Sequence, residues 1–369
     1  MRTINTLTVA ALALAGIVSA TAARADITIA VAGPMTGSEA AFGEQFKRGA
    51  AKAVEDINAK GGVLGQKLNL IQGDDACDPK QARSVAEEIA SKKAVFVAGH
   101  FCSGSSIPAS EVYQENGILQ ISPASTNPTF TERALPNVFR TCGRDDNQGK
   151  IAAQYVAAKQ KGKLVGIIHD KSSYGKGLSD EFKKALNGAG IKEVFYEAIT
   201  AGEKDYSALV TKAKAAKVDI LYLGGYKTEG GLIVRQLRDQ GMKTTLMGGD
   251  ALVTEEYWAI TGAAGEGTMM TFSPDPRLLP QNAELVKYFR AQNYEPEAYT
   301  LYTYATIQAW AQAADKAKST DWKKVAAVLK SGEQLDTAIG KIGFDAKGDV
   351  VGPTYVMYVW KAGKYVYAE

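Results

Sequence analysis

Short hydroxyl side chains follow two neighbouring apolar segments in the first half of the sequence. Ser103 opens a polar turn after the apolar segment 94–99, and Thr126 follows the apolar segment 118–121. A turn that leads into a helix offers free backbone N–H groups and a positive dipole end, which suit a carboxylate or a phosphate. The alternative is that Ser103 or Ser105 caps its own helix, and Ser, Asn and Pro are common in turns. Two adjacent segments with the same chemistry favour a shared anion site.

Aromatic and acidic side chains hold the corresponding positions in the second half. Tyr174, Tyr226 and Asp250 each follow a strand-like apolar segment. Taken singly, such a tyrosine covers the edge of a core and such an aspartate caps a helix. Taken together with the hydroxyl groups of the first half, they indicate a cleft. One side supplies hydroxyl and N–H donors for a carboxylate, and the other supplies a carboxylate for an ammonium group and aromatic surface for an apolar side chain.

Signatures of catalysis are mostly absent from the sequence. No GxGxxG, GxxxxGK[ST], HExxH or GxSxG motif occurs. The SxxK match at 173–176 lacks its companion motifs, and we interpret it as a coincidence. His169 has the chemistry of a general base, yet a histidine bonded to its neighbours is the more common case. Because His100 is the only other histidine, we expect no catalytic residue, no metal site and no cofactor.

Three cysteines allow at most one intramolecular disulfide. Cys77 and Cys102 are the candidate pair, because each follows a predicted strand at the start of a loop that leads into a helix. This places both at the same end of a sheet. Cys142 ends the segment 139–142, which we interpret as the middle of a strand. Its side chain is predicted to pack as a small buried hydrophobe and to remain a free thiol.

Strand-like and helix-like segments alternate from Asp26 onward and must position these residues. Short aliphatic runs predict buried strands, and apolar residues at helical spacing predict the helices between them. The predicted strands are 27–32, 68–71, 94–99, 118–121, 165–168, 194–199, 220–223 and 245–247. The predicted helices between them are 46–57, 79–93, 103–116, 175–189, 206–216 and 231–240. The last part of the chain predicts helices 282–291, 299–317 and 322–329 and a hairpin of strands 355–360 and 365–367.

This alternation predicts parallel sheets. Strands joined through helices pair in parallel by right-handed crossovers, and such sheets bind ligands beyond the carboxyl ends of their strands. The sequence contains no short repeat and no low-complexity linker. We therefore predict an α/β protein of two similar lobes with several crossings between them. Its 369 residues suit a leader and two domains of about 150 residues each.

Residues 1–25 are predicted to be a cleavable export leader. A positively charged start precedes the apolar segment 7–18 and the small-residue cleavage point Ala23-Arg24-Ala25. The apolar segment is shorter than the roughly 20 residues of a membrane helix. Loss of Arg2 and Arg24 lowers the formal net charge from +3 to about +1. The chain is 46% hydrophobic and 22% charged, which is typical of a globular protein without the basic excess of a nucleic-acid binder.

Six motifs occur in order along the chain. They are INAKGG at 57–62, DDACDPKQ at 74–81, GHFCS at 99–103, HDK at 169–171 with YG at 174–175, ITAGEKD at 199–205 and GGY at 224–226. Together they closely resemble the periplasmic leucine/isoleucine/valine-binding proteins of bacterial ABC transporters. The similarity covers essentially the whole chain after the leader.

The resemblance implies a type I periplasmic binding fold. In this fold two Rossmann-like lobes, each with a central and mostly parallel sheet, are joined by three crossovers and close on one ligand. The implied N-terminal lobe is 26–144 plus 274–353, and the implied C-terminal lobe is 145–273 plus 354–369. Cys77 and Cys102 match the disulfide of the family.

The resemblance also implies the residues that bind the polar end of the ligand. Ser103 and Thr126 are implied to bind an α-carboxylate, and the carbonyl group of Ala124 is implied to accept from the ammonium group. Asp250 is implied to contact the ligand from the other lobe when the cleft closes. The best-known members have glutamate at this position, so the ammonium contact here is expected to be longer, water-bridged or closed differently.

Three aromatic residues are implied to contact the rest of the ligand. Tyr226 is implied to contact the ligand from the second lobe when the cleft closes, and Tyr174 is implied to line the pocket. Phe42 falls where the family often has tyrosine or tryptophan against the ligand side chain, and it lacks a hydroxyl group. Because Phe42 and Asp250 both depart from the family pattern, the ligand preference is either for branched-chain amino acids or for a broader or different set of neutral amino acids.

The function implied by the resemblance is that of a monomeric periplasmic receptor for branched-chain or similar neutral amino acids. The receptor closes on its ligand and delivers it to the membrane permease subunits of an ABC importer. The alternative is a sensory subunit that presents a related small amino-acid-like solute to a membrane receptor. An enzyme is the third hypothesis, and the missing base and nucleophile count against it.

Overall fold

The computed structural model describes residues 25–352 and 355–369. The predicted leader lies outside the described residues except for Ala25, after which its cleavage point falls. Within the described ranges, no helix has both the length and the apolar character needed to span a membrane.

Five parallel strands form the first sheet. They are β1 (Ile27–Gly33), β2 (Leu68–Asp74), β3 (Phe96–Gly99), β4 (Leu119–Ser122) and β5 (Val138–Arg140), and they lie in the order β2-β1-β3-β4-β5. The helices between them are α1 (Ala40–Ala59), α2 (Pro79–Ser91), α3 (Ser103–Glu115) and α4 (Thr129–Glu132). The four strands and three helices predicted in this part are confirmed, with ends that shift by a few residues.

The helix after β2 starts where its sequence predicts. The carboxylate of Asp78 accepts hydrogen bonds from the backbone N–H groups of Lys80 at 2.9 Å and Gln81 at 2.8 Å. Pro79 occupies the first helical position, where its missing N–H costs nothing. This cap fixes the short loop that carries Cys77 at the carboxyl end of the sheet.

A second run of strands and helices follows. Its elements are α5 (Asp145–Lys159), β6 (Val165–His169), α6 (Ser173–Gly188), β7 (Phe195–Ala198), α7 (Ser207–Ala215), β8 (Ile220–Gly224), α8 (Lys227–Asp239), β9 (Thr245–Gly248), α9 (Glu255–Thr261) and β10 (Met269–Phe272). The predicted strands and helices of this part are confirmed. α5 and the seven-residue α9 were not predicted. The first turn of α5 is polar and its buried face is built largely of Gly149, Ala152 and Ala153, which give weak apolar periodicity.

The last part of the chain completes both halves. It contains α10 (Ala283–Arg290), α11 (Thr300–Ala317), α12 (Trp322–Leu329), β11 (Leu335–Thr337), β12 (Gly340–Phe344), β13 (Val350–Val351), β14 (Val356–Lys361) and β15 (Lys364–Tyr367). The predicted helices and the β14–β15 hairpin are confirmed. The second sheet has the order β15-β14-β10-β9-β8-β6-β7, and β11, β12 and β13 form a small separate sheet. The short strands β10 to β13 were not predicted.

Three passes of the chain connect the two large sheets. The chain leaves the first sheet after β5 and returns to it after β10. The return is seen in α11, which packs on the first sheet, where the rings of Trp310 and Phe96 stack with centroids 4.9 Å apart. It leaves again after β13 to add β14 and β15 to the second sheet. We call the part built on the five-stranded sheet the first lobe and the other part the second lobe. The predicted α/β fold, with two mostly parallel lobes and three crossovers, is confirmed.

Apolar clusters lie against the large sheets and leave their central strands inaccessible. Every residue of β3, β4, β6 and β8 is buried, as is usual for parallel strands covered by helices. Groups that meet a ligand must therefore come from the loops beyond the strand ends.

Candidate functional site

The seven residues predicted to bind a ligand lie at the facing ends of the two lobes. In the first lobe, Phe42 lies on α1, Ser103 begins α3, and Ala124 and Thr126 follow β4. In the second lobe, Tyr174 lies in the first turn of α6, Tyr226 precedes α8, and Asp250 follows β9. Tyr226 is half-buried and the other six are buried.

The hydroxyl groups of the first lobe do not serve as helix caps. Cys102 is the N-cap residue of α3 and makes no side-chain capping bond. Ser103 Oγ accepts a hydrogen bond from the backbone N–H of Asn127 at 3.2 Å, which joins the loop after β3 to the loop after β4. Among the described residues, the buried Ser105 Oγ has no hydrogen-bond partner. The alternative in which Ser103 or Ser105 caps its own helix is therefore wrong.

Asp250 is the centre of a buried hydrogen-bond cluster. Its Oδ1 accepts from Gln148 Nε2 at 2.8 Å and from Tyr174 Oη at 2.9 Å, and its Oδ2 accepts from Tyr299 Oη. Burial raises the pKa of Asp250, and the three donors oppose that rise without cancelling it. Because Tyr299 precedes α11 of the first lobe, this carboxylate joins the two lobes.

Asp145 is a second buried carboxylate at this point, and the sequence reasoning missed it. Burial, reinforced by the charge of Asp250, raises the pKa of Asp145 well above its ordinary value, while a contact with the Thr126 hydroxyl lowers it. Gln148 Nε2 donates to Asp145 Oδ1 at 3.1 Å and to Asp250, so one amide bridges the two acids. Two buried carboxylates in one site favour the uptake of a cation or a proton. The acidic start of α5, Asp145-Asp146, was the available signal.

Aromatic rings enclose the apolar side of the site. Phe101 stacks on Phe42 with ring centroids 4.3 Å apart, and Tyr299 meets the edges of both rings. The ring of Tyr226 lies 5.2 Å from that of Tyr174 and 6.4 Å from that of Phe101. Phe101 and Tyr299 were missed, although Phe101 lies within the GHFCS motif.

The lobes are in direct contact through charged groups. Lys227 Nζ of the second lobe donates to Glu39 Oε2 at 2.8 Å and to the carbonyl of Ser38 at 2.7 Å in the first lobe. Both side chains of this ion pair are buried, and Lys227 Nζ lies 5.1 Å from the centre of the Phe42 ring. Burial raises the pKa of Glu39 even with Lys227 beside it.

A second set of cross-lobe contacts surrounds Glu297, which precedes α11. Its carboxylate accepts from Thr254 Oγ1 and from the backbone N–H of Glu255, both at 2.8 Å, at the start of α9. In addition, Asn127 Nδ2 donates to the carbonyl of Ser173 at 2.6 Å. The cleft is therefore closed in this structure.

The cysteines pair as predicted. Cys77 and Cys102 form a disulfide with their Cα atoms 5.6 Å apart. Cys142 is free and buried, and burial raises the pKa of its thiol. Its predicted position in mid-strand is wrong, because β5 ends at Arg140 and Cys142 lies in the bend that leads to the second lobe.

Both histidines are bonded to neighbouring groups. His100 Nδ1 lies 2.5 Å from Asp75 Oδ2, and its Nε2 lies 2.8 Å from Tyr113 Oη. His169 Nδ1 accepts from the backbone N–H of Lys171 at 3.1 Å. Across the ranges that the structure describes, no cluster of His, Cys, Asp and Glu could hold a metal ion.

Two α/β lobes that meet over buried hydroxyl, carboxylate and aromatic side chains define a two-lobed solute-binding protein. Residues 26–364 match the family described as periplasmic binding protein, and the chain belongs to that family.

Its relatives match almost the whole chain. The Leu/Ile/Val-binding protein homolog 2 of Brucella abortus (strain 2308) is 52% identical over 348 residues, which are 94% of this chain and 94% of that protein. An amino acid binding protein of Pseudomonas aeruginosa is 50% identical over 349 residues, 94% of this chain and 93% of that protein.

Solved structures agree with this assignment. The leucine binding protein LivK of Thermotoga maritima is similar with a TM-score of 0.86 and 29% identity, over 93% of this chain and 98% of that one. LivJ of Streptococcus pneumoniae, solved in complex with isoleucine, is similar with a TM-score of 0.85 and 28% identity, over 92% of this chain and 97% of that one.

Proposed function

We propose that this protein binds a zwitterionic neutral amino acid, with a branched or similar apolar side chain, in the cleft between its lobes. The observation that carries the proposal is the cluster around Asp250, whose buried carboxylate meets Tyr174 of one lobe and Tyr299 of the other. A carboxylate in such a place gains greatly from a cationic partner. Two relatives support the same class of ligand by their names, which are Leu/Ile/Val-binding protein homolog 2 and leucine binding protein LivK.

The polar groups divide between the two ends of the amino acid backbone. Ser103 and Thr126, with the N-terminus of α3, bind the α-carboxylate. The carbonyl of Ala124 and the carboxylate of Asp250 receive the ammonium group. Thr126 Oγ1 supports this role, because it is buried and contacts only the Asp145 carboxyl, without a hydrogen bond of standard geometry within the described part of the chain. A buried hydroxyl without such a bond is costly unless it serves a ligand.

The aromatic groups receive the side chain of the ligand. Phe42, Tyr174 and Tyr226 line this part of the site, and Phe101 supports Phe42 by stacking on it. The ring of Phe42 offers no hydrogen bond, so the ligand side chain is apolar. Asp250 is one methylene shorter than the glutamate of the best-known members, so a water molecule or a tighter closure brings it to the ammonium group.

Closure links binding to delivery. Only the closed state offers contacts from both lobes, so the ligand shifts the protein toward that state. The closed protein hands its ligand to the membrane permease subunits of an ABC importer, as a periplasmic monomer and without covalent chemistry. The lobes that move are 26–144 plus 274–353 and 145–273 plus 354–369, and the leader is removed after Ala25.

Calorimetry tests the ligand class. Protein that has been unfolded and refolded to remove bound ligand is titrated with each of the common amino acids, and we expect branched-chain or similar neutral ones to bind. Failure of every amino acid to bind would refute the proposal.

A substitution tests the carboxylate site. Ser103→Ala should weaken binding by about tenfold to a hundredfold, since a hydrogen bond to a charged group is lost. The matched control is Ser110→Ala on the same helix, because Ser110 Oγ bonds to Ile107 and Arg133 instead. If Ser103→Ala lowers only the melting temperature of the ligand-free protein, Ser103 does not bind the ligand.

A further inference from the structure

One buried arginine holds both sides of the loop that carries Thr126. Arg140, at the end of β5, is fully buried. Its Nη1 donates to the carbonyl of Ser125 at 2.7 Å and to the carbonyl of Asn127 at 3.1 Å. These are the residues immediately before and after Thr126. The guanidinium group of Arg140 thus holds the backbone on both sides of Thr126 by hydrogen bonds, and the backbone determines the direction of the Thr126 side chain.

The other nitrogens of the guanidinium connect this loop to the third crossover. Arg140 Nε donates to Asp349 Oδ1 at 2.6 Å, and Nη2 donates to Thr131 Oγ1 at 2.6 Å. The Thr131 hydroxyl also lies 2.9 Å from Asp349 Oδ1. Asp349 immediately precedes β13, after which the chain crosses to the second lobe. Its Oδ2 accepts from Arg144 Nη1 at 2.9 Å, just after the first crossover begins.

The backbone keeps Asp349 in this place. The N–H of Arg140 donates to the carbonyl of Gly348 at 2.9 Å, and Arg140 and Asp349 pair as a parallel bridge. Gly348 has φ +97°, and a Cβ on it would lie 2.1 Å from the carbonyl oxygen of Val138. A side chain is therefore excluded at this position, and the turn holds the carboxylate of Asp349 against the guanidinium of Arg140.

We propose that the Arg140–Asp349 pair is a positioning element of the ligand site, which orients the Thr126 hydroxyl from the third crossover. This inference rests on the proposed role of Thr126 in binding. A binding group acts well only when its supporting shell fixes its geometry. The Thr126 hydroxyl contacts the buried carboxyl of Asp145 but makes no hydrogen bond of standard geometry among the described residues, so its direction depends strongly on the backbone of its own loop.

A double-mutant cycle tests the proposal by calorimetry with L-valine. Asp349→Asn keeps the size of the side chain but removes the charge that holds Arg140, and we expect affinity to fall about tenfold. Thr126→Val removes the hydroxyl group and should also weaken binding by about tenfold or more. In the Thr126→Val background, Asp349→Asn should change affinity by much less than tenfold, because the hydroxyl that it positions is gone and only the indirect support of Ser103 through Asn127 remains.

The control variant is Glu132→Gln. The side chain of Glu132 pairs with Arg144 and Lys347 at the outer edge of the same network, and within the described residues it makes no bond to Arg140 or to the loop of Thr126. We expect its affinity for L-valine to match that of the wild type. If Asp349→Asn does not fold, Thr131→Val takes its place in the cycle, because it removes one partner of Arg140 and keeps the ion pair.

The outcomes separate the two proposals. If Thr126→Val leaves the affinity for L-valine unchanged, Thr126 does not bind the ligand and the proposed site is wrong. If Thr126→Val weakens binding but Asp349→Asn has the same effect in both backgrounds, or none, the positioning role is overturned. A fall in melting temperature alone also overturns it, since a purely structural pair would produce that result.

Discussion

Replacement of Lys227 by methionine is expected to keep the cleft from closing tightly. In the closed structure the ammonium group of Lys227 crosses from the second lobe to Glu39 and to the carbonyl of Ser38. Methionine fills a similar volume but leaves the Glu39 carboxylate buried without its cation. In an open cleft water would solvate Glu39, so the substitution penalises the closed state alone.

The size of the effect follows from the burial of the pair. The side chain of Lys227 is 0% exposed and that of Glu39 is 3% exposed. Removal of one partner of such a pair costs about 3–5 kcal/mol, and each 1.4 kcal/mol is about tenfold in affinity. Glu256 also pairs with Lys227, at 3.3 Å, but it is 43% exposed, so its own loss of the cation adds little to this cost. We therefore expect Lys227→Met to bind L-valine about a hundredfold more weakly or worse.

The decisive measurement is the comparison with the double variant. Lys227→Met with Glu39→Gln removes both buried charges of this pair, so its affinity should return to within about tenfold of the wild type. Lys163→Met is the control, because Lys163 forms an exposed pair with Asp219 inside the second lobe. Calorimetry with L-valine gives all four affinities. A Lys227→Met variant that binds as tightly as the wild type would refute the reasoning.

Three further predictions address the acids and the cysteines. Asp250→Asn keeps the side-chain shape but removes the charge, so affinity for L-valine should fall at least about tenfold while 2-oxoisovalerate, which lacks the ammonium group, should bind no worse; equal calorimetric affinities of variant and wild type for L-valine would count against this role. Cys142 should resist alkylation until the protein unfolds, and peptide mapping without reduction should recover Cys77 joined to Cys102; a bridge that contains Cys142 would contradict the assignment. Burial raises the pKa of Glu297 from 4.5 to about 7, so its contribution to stability is fully present below about pH 4.5 and is lost as the pH rises through about 7. Relative to the wild type, Glu297→Gln should gain about 2.5 kcal/mol in the free energy of unfolding between about pH 5 and about pH 8, as urea unfolding measures. A difference between the two free energies that does not change with pH would exclude the shifted pKa.

Local patterns predicted most of the fold because most elements are strongly periodic. The strands and helices with clear apolar spacing are confirmed, and the residues after the strand ends include Ser103 and Asp250. Weakly patterned elements were missed. α5 presents a small and polar buried face, and β13 has only two residues, so neither gives a local signal.

The missed site residues have a different explanation. Gln148 bonds to Asp250 from 102 positions away along the chain, and Tyr299 reaches the same carboxylate from a segment predicted as an ordinary helix. The sequence around Phe101 is typical of a core residue, and only the structure shows that its ring stacks on Phe42. Convergence of distant segments on one point depends on the crossovers, and no spacing within a single segment encodes it.

The interleaving of the two lobes along the chain also determines the order in which the protein can fold. α1 packs closely on α11, where the carbonyl of Thr300 comes so near that a Cβ on Gly49 would lie 2.2 Å from its oxygen. The second sheet in turn lacks an interior strand until residues 356–361 pair with β10. During synthesis, each lobe waits for residues that emerge after most of the other lobe. We therefore expect the chain to lack a finished core until it is nearly complete, and the two lobes to mature together rather than in succession.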